Sequence, residues 1–409
     1  MSVFEHLEFK PPDLIFGPAE LAKNDPHPDK VDLTVGVYKG IDGKPFLFNA
    51  VKRAKNAIVN DVNEFEEYLP LSGHEKFTNE ARNLIFNEPC YNNEDFAKLC
   101  NRILSIHTAS ATNALFLGLL LIKKNIPYAR KFYASNPCWV AYKTIATGLG
   151  LEYGEYTYFD YKTGVLDIDG LVQSLNSYNK GDIIMLQVSA HNPTGVDPNH
   201  EQWIQILEII KKKELIPFLD CAYQGFASGE LVEDAYPVRL FAEANIDVFV
   251  AQSFSKIMGI FSARLGVLHL VMKKEDDEMK KIINSNMVRL ARSCYGSPTR
   301  HGAEIAYRIM STPDLRSLWS EELDGLIKRI IAMRRKLYET LVDNKVPGSW
   351  EHIIKQRGMF AFLNISPEAI ERLKDEHHVY IISNSRICVA VLNDHKINHF
   401  VKALYSVLT

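Results

Sequence analysis

The middle of the chain alternates between short apolar runs and longer stretches with helical periodicity. Residues 182–190 (DIIMLQVSA) are apolar and run into a turn signal, which predicts a buried strand. Residues 199–214 place Trp203, Ile206 and Ile210 at helical spacing, which predicts a helix. Further strands are predicted at 216–223, 247–254 and 265–272. This alternation indicates an α/β fold, with a mostly parallel sheet flanked by helices in a large domain.

The C-terminal third has a different pattern. Residues 314–345 are periodic and free of proline, which predicts one long helix joining two domains. Strand, helix, strand and helix patterns then follow at 358–365, 367–376, 380–390 and 396–408. With 409 residues, the chain is long enough for two domains. We expect an N-terminal arm (1–14), a smaller α+β domain (15–46 and 324–409) and the large domain (47–323).

Polar side chains follow three of the predicted strands. They lie in the segments 191–195, 220–223 and 253–256. In parallel sheets, ligands collect at the carboxyl ends of the strands. The sequence therefore predicts a binding site at this edge of the large domain.

Composition excludes several other classes of function. The net charge is −3, from 47 basic and 50 acidic residues, which argues against nucleic acid or an anionic membrane as a partner. The longest apolar run, 114–122, is too short to span a bilayer, and the N-terminus resembles neither a secretion signal nor a transit peptide. The six cysteines show no zinc-binding spacing, so no metal site is expected. These features favour a cytoplasmic protein.

Common nucleotide-binding and hydrolase motifs are also absent from the sequence. No G-x-G-x-x-G follows a strand, and no G-x-S-x-G occurs. The segment GVYKGIDGK has Tyr38 where a phosphate loop needs its first glycine. The chemistry must therefore come from other residues.

Lys256 and Arg264 lie in a stretch of small and apolar residues, AQSFSKIMGIFSARLG, with no acidic residue within eight positions of Lys256. An amine held unprotonated in such surroundings can form a Schiff base with a carbonyl. Taken alone, each of these cations is more commonly a surface residue. The other candidates decide between the two interpretations.

Each remaining candidate also has an ordinary structural explanation. Asp220 ends a buried strand and needs a cationic partner, such as a protonated ring nitrogen or a structural ion pair. Tyr223 and Asn192 can bind a phenolic oxygen, although NPTG is also a common turn. Ser110 and Thr112 precede an apolar helix, where they either cap it or help to bind phosphate. Trp139 either stacks on a planar ring or fills the core. Together, these groups complement pyridoxal 5′-phosphate (PLP).

The order and context of these residues resemble the class I aspartate aminotransferases, which are fold-type I PLP enzymes. The resemblance covers nearly the whole chain. It is carried by PPDLIFG, VDLTVGVYKGIDGKPF, EYLPLSGHEKF, AHNPTGVDP, DCAYQGFASG, SFSK, GMFAF and SRICVA. The combination is far more specific than any one of these motifs.

The resemblance implies a role for each cofactor residue. Lys256 is implied to bind the cofactor aldehyde and to move protons, Asp220 to pair with the ring nitrogen, and Tyr223 and Asn192 to hold the phenolic oxygen. Trp139 is implied to stack on the ring. The implied phosphate ligands are Ser110, Ala111, Thr112, Ser253, Arg264 and, from a second subunit, Tyr68.

Two further arginines are implied to select the substrate. Arg386 resembles the clamp for the α-carboxylate, and Arg292 the clamp for a side-chain carboxylate of the neighbouring subunit's substrate. Gly36, Trp139 and Asn192 complete the implied substrate set. Two carboxylate clamps select dicarboxylic amino acids and 2-oxo acids in a homodimer with shared active sites. Arg289, three residues before Arg292, leaves the register of this assignment open.

Some positions depart from the family pattern. Ala111 and Asn113 stand where the family usually has glycines. Tyr142 and Gln187 stand where it has histidines, while His191 is kept. After Tyr295 the chain continues Gly-Ser-Pro-Thr at 296–299, which replaces the usual Ser-Asn-Pro-Pro.

The resemblance implies ping-pong transfer of the amino group from L-aspartate to 2-oxoglutarate, giving oxaloacetate and L-glutamate. The changed segment 296–299 leaves a broader aminotransferase open, one that also accepts aromatic amino acids. A third alternative is a non-catalytic protein of the same fold. The intact set of Lys256, Asp220, Arg264 and Arg386 argues against it.

Overall fold

The computed structural model describes residues 2–40 and 42–409; Met1 of the predicted arm and Ile41 of the predicted small domain lie outside the described residues. The chain divides into two compact units. The small unit contains the described residues of Met1–Lys44, Ala332–Ile354 and Met359–Thr409, and the large unit contains Pro45–Ile331 and Lys355–Gly358. A separate arm and the boundaries at 46 and 324 stay predictions.

Helices and strands are numbered in chain order within the described residues. The strands are β1 (Val31–Asp32), β2 (Ile103–Thr108), β3 (Lys131–Asn136), β4 (Glu152–Thr157), β5 (Phe159–Asp160), β6 (Val165–Leu166), β7 (Ile183–Gln187), β8 (Ile216–Cys221), β9 (Val248–Ser253), β10 (Gly266–Val271), β11 (Phe360–Phe362), β12 (Val379–Tyr380) and β13 (Arg386–Cys388). The helices are α1 (Phe16–Asn24), α2 (Asn49–Val59), α3 (Glu75–Phe86), α4 (Asn93–Asn101), α5 (Ala111–Asn125), α6 (Ala141–Gly148), α7 (Ile168–Ser177), α8 (His200–Lys213), α9 (Leu231–Asp234), α10 (Tyr236–Glu243), α11 (Asp277–Cys294), α12 (Arg300–Ser311), α13 (Pro313–Asp343), α14 (Glu351–Lys355), α15 (Pro367–His377) and α16 (Asp394–Leu408).

The large unit is built on a seven-stranded sheet of order β2-β10-β9-β8-β7-β3-β4. The neighbours from β9 to β4 pair in parallel, whereas β10 runs antiparallel to both β9 and β2. The connection 254–265 contains only a short 3₁₀ turn (Phe261–Ala263) and no crossover helix, so β10 must run back beside β9. The predicted α/β fold with a mostly parallel sheet is confirmed.

Local sequence explains the helix that follows β7. Asn199 and Gln202 form a capping box at the start of α8, each side chain accepting from the other's backbone N–H. The apolar face of α8 is buried, and the helix ends at Glu214 in a left-handed conformation. The predicted helix 199–214 is confirmed to within one residue at each end.

The main core of the large unit lies against the sheet beneath α5, α6 and α11. Its buried residues include Leu115 and Leu119 of α5, Phe218 of β8 and Leu268 of β10. The apolar segment 114–122 is thus a buried helix of the core. Among the described residues, no helix has both the length and the apolarity that crossing a membrane requires.

In the small unit, β1 pairs in parallel with β12, and β11 pairs antiparallel with β13. The long helix predicted at 314–345 is confirmed as α13; its residues up to Ile331 belong to the large unit and those from Ala332 to the small unit. The single strand predicted at 380–390 is wrong, because the chain turns between β12 and β13, with Ser385 at φ 71°. The N–H of Ser385 donates to the Ile382 carbonyl in that turn (3.0 Å).

Candidate active site

Three adjacent parallel strands bring the predicted polar segments to one edge of the large unit. β7 ends at Gln187, β8 at Cys221 and β9 at Ser253. Asp220 is in register with Gln187 on one side and with Ala251 on the other. The segments 191–195, 220–223 and 253–256 therefore leave the sheet side by side, as the strand pattern predicts.

Asp220 is a buried carboxylate with one oxygen engaged. Its side chain is 7% exposed, and Oδ2 accepts a hydrogen bond from the Tyr142 hydroxyl at 2.6 Å. Oδ1 is buried and has no hydrogen-bond partner among the described residues. Burial raises the pKa of Asp220, while the Tyr142 hydroxyl and the charge of Lys256 lower it. A buried acceptor of this kind calls for a donor from a ligand.

Lys256 lies just beyond β9, in the turn that follows Ser253. Its Nζ is 4.9 Å from the centroid of the Tyr223 ring, and Tyr223 is itself buried. Asp220 lies at the end of β8, the strand that pairs with β9, so the amine and the carboxylate belong to neighbouring strand ends at the same edge of the sheet. The structure thus brings together Lys256, Asp220 and Tyr223.

The start of α5 is the candidate phosphate site. Ser110 is its N-cap, with Oγ accepting from the Asn113 N–H (3.1 Å). Ala111 is the first helical residue, so the alanine that replaces the family glycine needs no left-handed backbone. The first turn of a helix has free N–H groups that attract an anion.

A close approach by β10 shapes this site. A Cβ added to Gly266 would lie 2.5 Å from the backbone nitrogen of Ala111. Gly266 is in register with Ser253 of β9 and with Thr108 of β2, so three strand ends meet beside Ser110. Only glycine permits this packing.

Ser253 is in register with Gly266, which packs against the start of α5, and Arg264 lies two residues before Gly266 along the chain. Ser253 is buried, and its Oγ accepts from the Ser255 N–H (3.3 Å). Arg264 is exposed, adopts a left-handed backbone (φ 53°) and donates from a guanidinium NH₂ group to the Phe261 carbonyl (3.2 Å). Their contact with phosphate stays a prediction.

The side chains of Gln187 and Asp197 hold the loop that carries Asn192 through hydrogen bonds to its backbone. The Gln187 amide accepts from the Asn192 N–H (2.8 Å) and donates to the Asn192 carbonyl (2.9 Å). The carboxylate of Asp197 accepts from the N–H groups of Ala190 and His191. The sequence analysis identified Gln187 only as a departure from the family pattern and missed Asp197, whose backbone partners lie six and seven residues earlier in the chain.

His191 is buried and neutral. Its ring nitrogens contact Ser135 Oγ and Thr194 Oγ1, each at 2.8 Å, and its ring stacks on Tyr158 with centroids 4.1 Å apart. Burial lowers the pKa of His191 to about 3. This histidine therefore braces the loop and is not a proton donor near neutral pH.

Three more of the predicted residues belong to the large unit. Trp139 is half-buried, with its ring perpendicular to that of Tyr142 at 5.3 Å. Tyr68 is 96% exposed, and Arg292 is exposed at the end of α11. Arg289 is exposed on the same helix, so the register between these two arginines stays open. The roles of Trp139, Tyr68 and Arg292 stay predictions.

The small unit holds the other two candidates. Arg386 of β13 is 2% exposed, its guanidinium lies 4.0 Å from the centroid of the Phe360 ring, and it donates to the Thr34 carbonyl. A Cβ added to Gly36 would lie 2.6 Å from the tip of the same ring. Gly36 and Arg386 therefore share one patch, and a buried guanidinium is a strong site for a carboxylate.

A parallel sheet that gathers a lysine, a buried aspartate and a helix N-terminus at its carboxyl edge defines an enzyme for small phosphorylated or anionic ligands. The chain matches the model of the family "Aminotransferase class I and II" over residues 28–404. It belongs to that family.

Individual relatives match this chain over all or nearly all of its length. It is 38% identical over 408 residues to aspartate aminotransferase 1 of Medicago sativa, covering 100% of this chain and 96% of that protein. The structure of the cytoplasmic aspartate aminotransferase of Saccharomyces cerevisiae matches with a TM-score of 0.95 at 34% identity, covering 99% and 98% of the two chains. The aromatic-amino-acid aminotransferase of Burkholderia pseudomallei, covalently bound to pyridoxal phosphate, matches with a TM-score of 0.93 at 35% identity and 100% coverage of both chains.

Proposed function

We propose that this protein is a PLP-dependent aspartate aminotransferase, which transfers the amino group of L-aspartate to 2-oxoglutarate by a ping-pong mechanism. The observation that carries the proposal is the position of Lys256 and Asp220 at the ends of two neighbouring strands, β9 and β8, with Asp220 Oδ1 buried and unpartnered among the described residues. Family membership and aspartate aminotransferases among the relatives support it.

The residues of the large unit fit the cofactor. A protonated ring nitrogen of PLP would be the donor that Oδ1 of Asp220 lacks. The start of α5, with Ser110, would supply N–H groups for the phosphate, and Ser253 and Arg264 would complete that site. Lys256 would hold the aldehyde covalently, and Tyr223 and Asn192 would bind the phenolic oxygen.

When bound, PLP withdraws electrons from the substrate's Cα and stores the amino group between the two half-reactions. Lys256 moves the proton at Cα, since its amine is the basic group beside Tyr223. Burial raises the pKa of Asp220, and the Tyr142 hydroxyl and the charge of Lys256 oppose that effect only in part. A cationic ring nitrogen beside the carboxylate would favour its charged form further. His191 and Gln187 hold the Asn192 loop still.

Substrate choice is assigned to the two arginines. Arg386 takes the α-carboxylate, with Gly36 leaving space beside Phe360. Arg292 takes the side-chain carboxylate in the active site of a second subunit, and Tyr68 reaches the phosphate there. The high exposure of Tyr68 and Arg292 within one chain supports a homodimer with shared sites. We place the enzyme in the cytoplasm, like the yeast relative.

A second candidate is a broader aminotransferase that also accepts aromatic amino acids. The match to an aromatic-amino-acid aminotransferase favours it. The changed segment after Tyr295 also favours this candidate. There Gly296 has φ 74°, and the Ser297 hydroxyl donates a hydrogen bond to the Leu69 carbonyl (2.7 Å). At the two positions after Tyr295 the family pattern has Ser and Asn, so one polar side chain is lost here and the other is engaged by the backbone.

Absorption spectroscopy tests the proposal. The protein loaded with PLP should show a visible band that bleaches on adding aspartate and returns on adding 2-oxoglutarate. Lys256→Ala should lose this behaviour, whereas Lys212→Ala, at an exposed position of α8, should keep it. A native protein whose visible band does not respond to aspartate would refute the proposed enzymatic activity. Bleaching by phenylalanine at a rate similar to that with aspartate would establish the broader specificity.

A further inference from the structure

Tyr142 contacts the residue on which the proposed chemistry depends. It lies in the first turn of α6 and is 2% exposed. Its hydroxyl donates to Asp220 Oδ2 at 2.6 Å. The Tyr142 ring is braced by Trp139, which meets it edge-on at 5.3 Å, and by Phe132, at 6.4 Å. The hydroxyl is therefore held in one place.

The two oxygens of Asp220 are in unequal surroundings. Oδ2 has the Tyr142 hydroxyl, while Oδ1 is buried and has no partner among the described residues. A short hydrogen bond to one oxygen fixes the plane of the carboxylate and determines where the other oxygen points. Tyr142 thus selects the oxygen that is left for a ligand.

The chemical nature of this donor also matters. Burial, and next the charge of Asp220, raise the pKa of Tyr142 well above its usual value, so the hydroxyl keeps its proton at neutral pH. The hydrogen bond lowers the pKa of Asp220 without adding a positive charge. A neutral donor therefore favours the ionised form of Asp220 and leaves its negative charge uncompensated, so that a cationic ligand can pair with it.

We propose that Tyr142 is the positioning residue that directs Asp220 Oδ1 to the cofactor's ring nitrogen and keeps that nitrogen protonated. This rests on the proposed function. The family's histidine at this position is replaced by a phenol, so the same carboxylate is oriented by a group that does not titrate near neutral pH.

The test compares Tyr142→Phe with a matched control. Tyr156→Phe also removes a buried tyrosine hydroxyl, whose hydrogen bond goes to the Met185 carbonyl (2.7 Å). We expect Tyr142→Phe to weaken PLP binding about ten-fold, the scale of one hydrogen bond to a charged group. Tyr156→Phe should leave PLP binding within about two-fold of the native value.

A spectroscopic signature separates positioning from a structural role. With ¹⁵N-labelled PLP, the ring-nitrogen signal of the native protein and of Tyr156→Phe should report a protonated nitrogen. Tyr142→Phe should shift that signal toward the unprotonated value. Equal signals and equal PLP affinities in the two variants would overturn the proposal.

A double-mutant cycle tests whether Tyr142 acts through Asp220. Asp220→Asn combined with Tyr142→Phe should bind PLP no more weakly than Asp220→Asn alone. If the two substitutions instead weaken PLP binding by factors that multiply in the double variant, Tyr142 acts independently of Asp220. The native protein supplies a test without any variant, because an unprotonated ring nitrogen at neutral pH contradicts the proposal. A native protein that takes up no PLP would instead refute the proposed function.

Discussion

At the residue scale, the site depends on a carboxylate whose burial is energetically unfavourable. Asp220 gains one hydrogen bond from Tyr142 but leaves Oδ1 unpartnered among the described residues. An unsatisfied buried polar group costs about 1–3 kcal/mol. A donor from bound PLP would remove this cost, so stability is sacrificed for function at this position.

Asp220→Asn should stabilise the cofactor-free protein near neutral pH and impair the enzyme. Burial raises the pKa of Asp220 above its usual value, so this group favours the folded state at low pH and loses that contribution as pH rises through its folded pKa. The gain in melting temperature from Asp220→Asn should thus be present at neutral pH and shrink in acid. PLP affinity and turnover should both fall. A lower melting temperature for the variant at neutral pH would contradict this account.

At the element scale, β10 sets the geometry of the phosphate site. Gly266→Ala would bring a Cβ to 2.5 Å from the Ala111 nitrogen, so the start of α5 must move. We expect PLP affinity, measured by fluorescence titration, to fall at least about ten-fold. Gly325→Ala in α13 is the control, since an added Cβ meets nothing within 4 Å there. It should stabilise the protein by about 0.5–1 kcal/mol. Unchanged PLP affinity in Gly266→Ala would count against this site.

The same strand carries a buried histidine that makes folding sensitive to acid. His269 contacts Ser105 Oγ (2.8 Å) and Gln252 Oε1 (3.0 Å), and burial lowers its pKa from 6.5 to about 3. Its contribution to stability is present above pH 6.5 and is lost as pH falls toward 3. His269→Gln should reduce the pH dependence of the unfolding free energy over this window by about 1.4 kcal/mol per pH unit. Denaturant unfolding at several pH values measures this, and an unchanged slope refutes it.

The elements themselves were largely predictable. Strands and helices such as β7, α8 and α13 follow from period and capping, because those signals are local. The reversal of β10 and the turn between β12 and β13 were harder to predict, since the first depends on a short connection and the second on one left-handed residue. Asp197 escaped notice because its two backbone partners become close only in the folded loop.

At the scale of the whole molecule, the site residues separated into two groups. Asp220, Lys256 and Ser110 could be placed from strand ends and a helix start. Tyr68 and Arg292 could not, since their proposed partners belong to a second subunit. The sequence resemblance alone assigns their roles.

Mixing two inactive variants tests the shared sites. Lys256→Ala and Arg292→Ala homodimers should both be nearly inactive on aspartate. If Arg292 serves the neighbouring subunit, a heterodimer contains one intact site, and an equal mixture should recover about a quarter of native activity. Arg289→Ala in place of Arg292→Ala checks the register. No recovery with either arginine variant would exclude shared sites of this kind.

The most direct measurement of the central claim is to trap the cofactor on its lysine. Borohydride reduction of the PLP-loaded protein, followed by digestion and mass spectrometry, identifies the residue that carries the pyridoxyl group. We predict one modified peptide, bearing the group on Lys256. Modification of a different lysine, or none in folded protein incubated with PLP, would contradict the account.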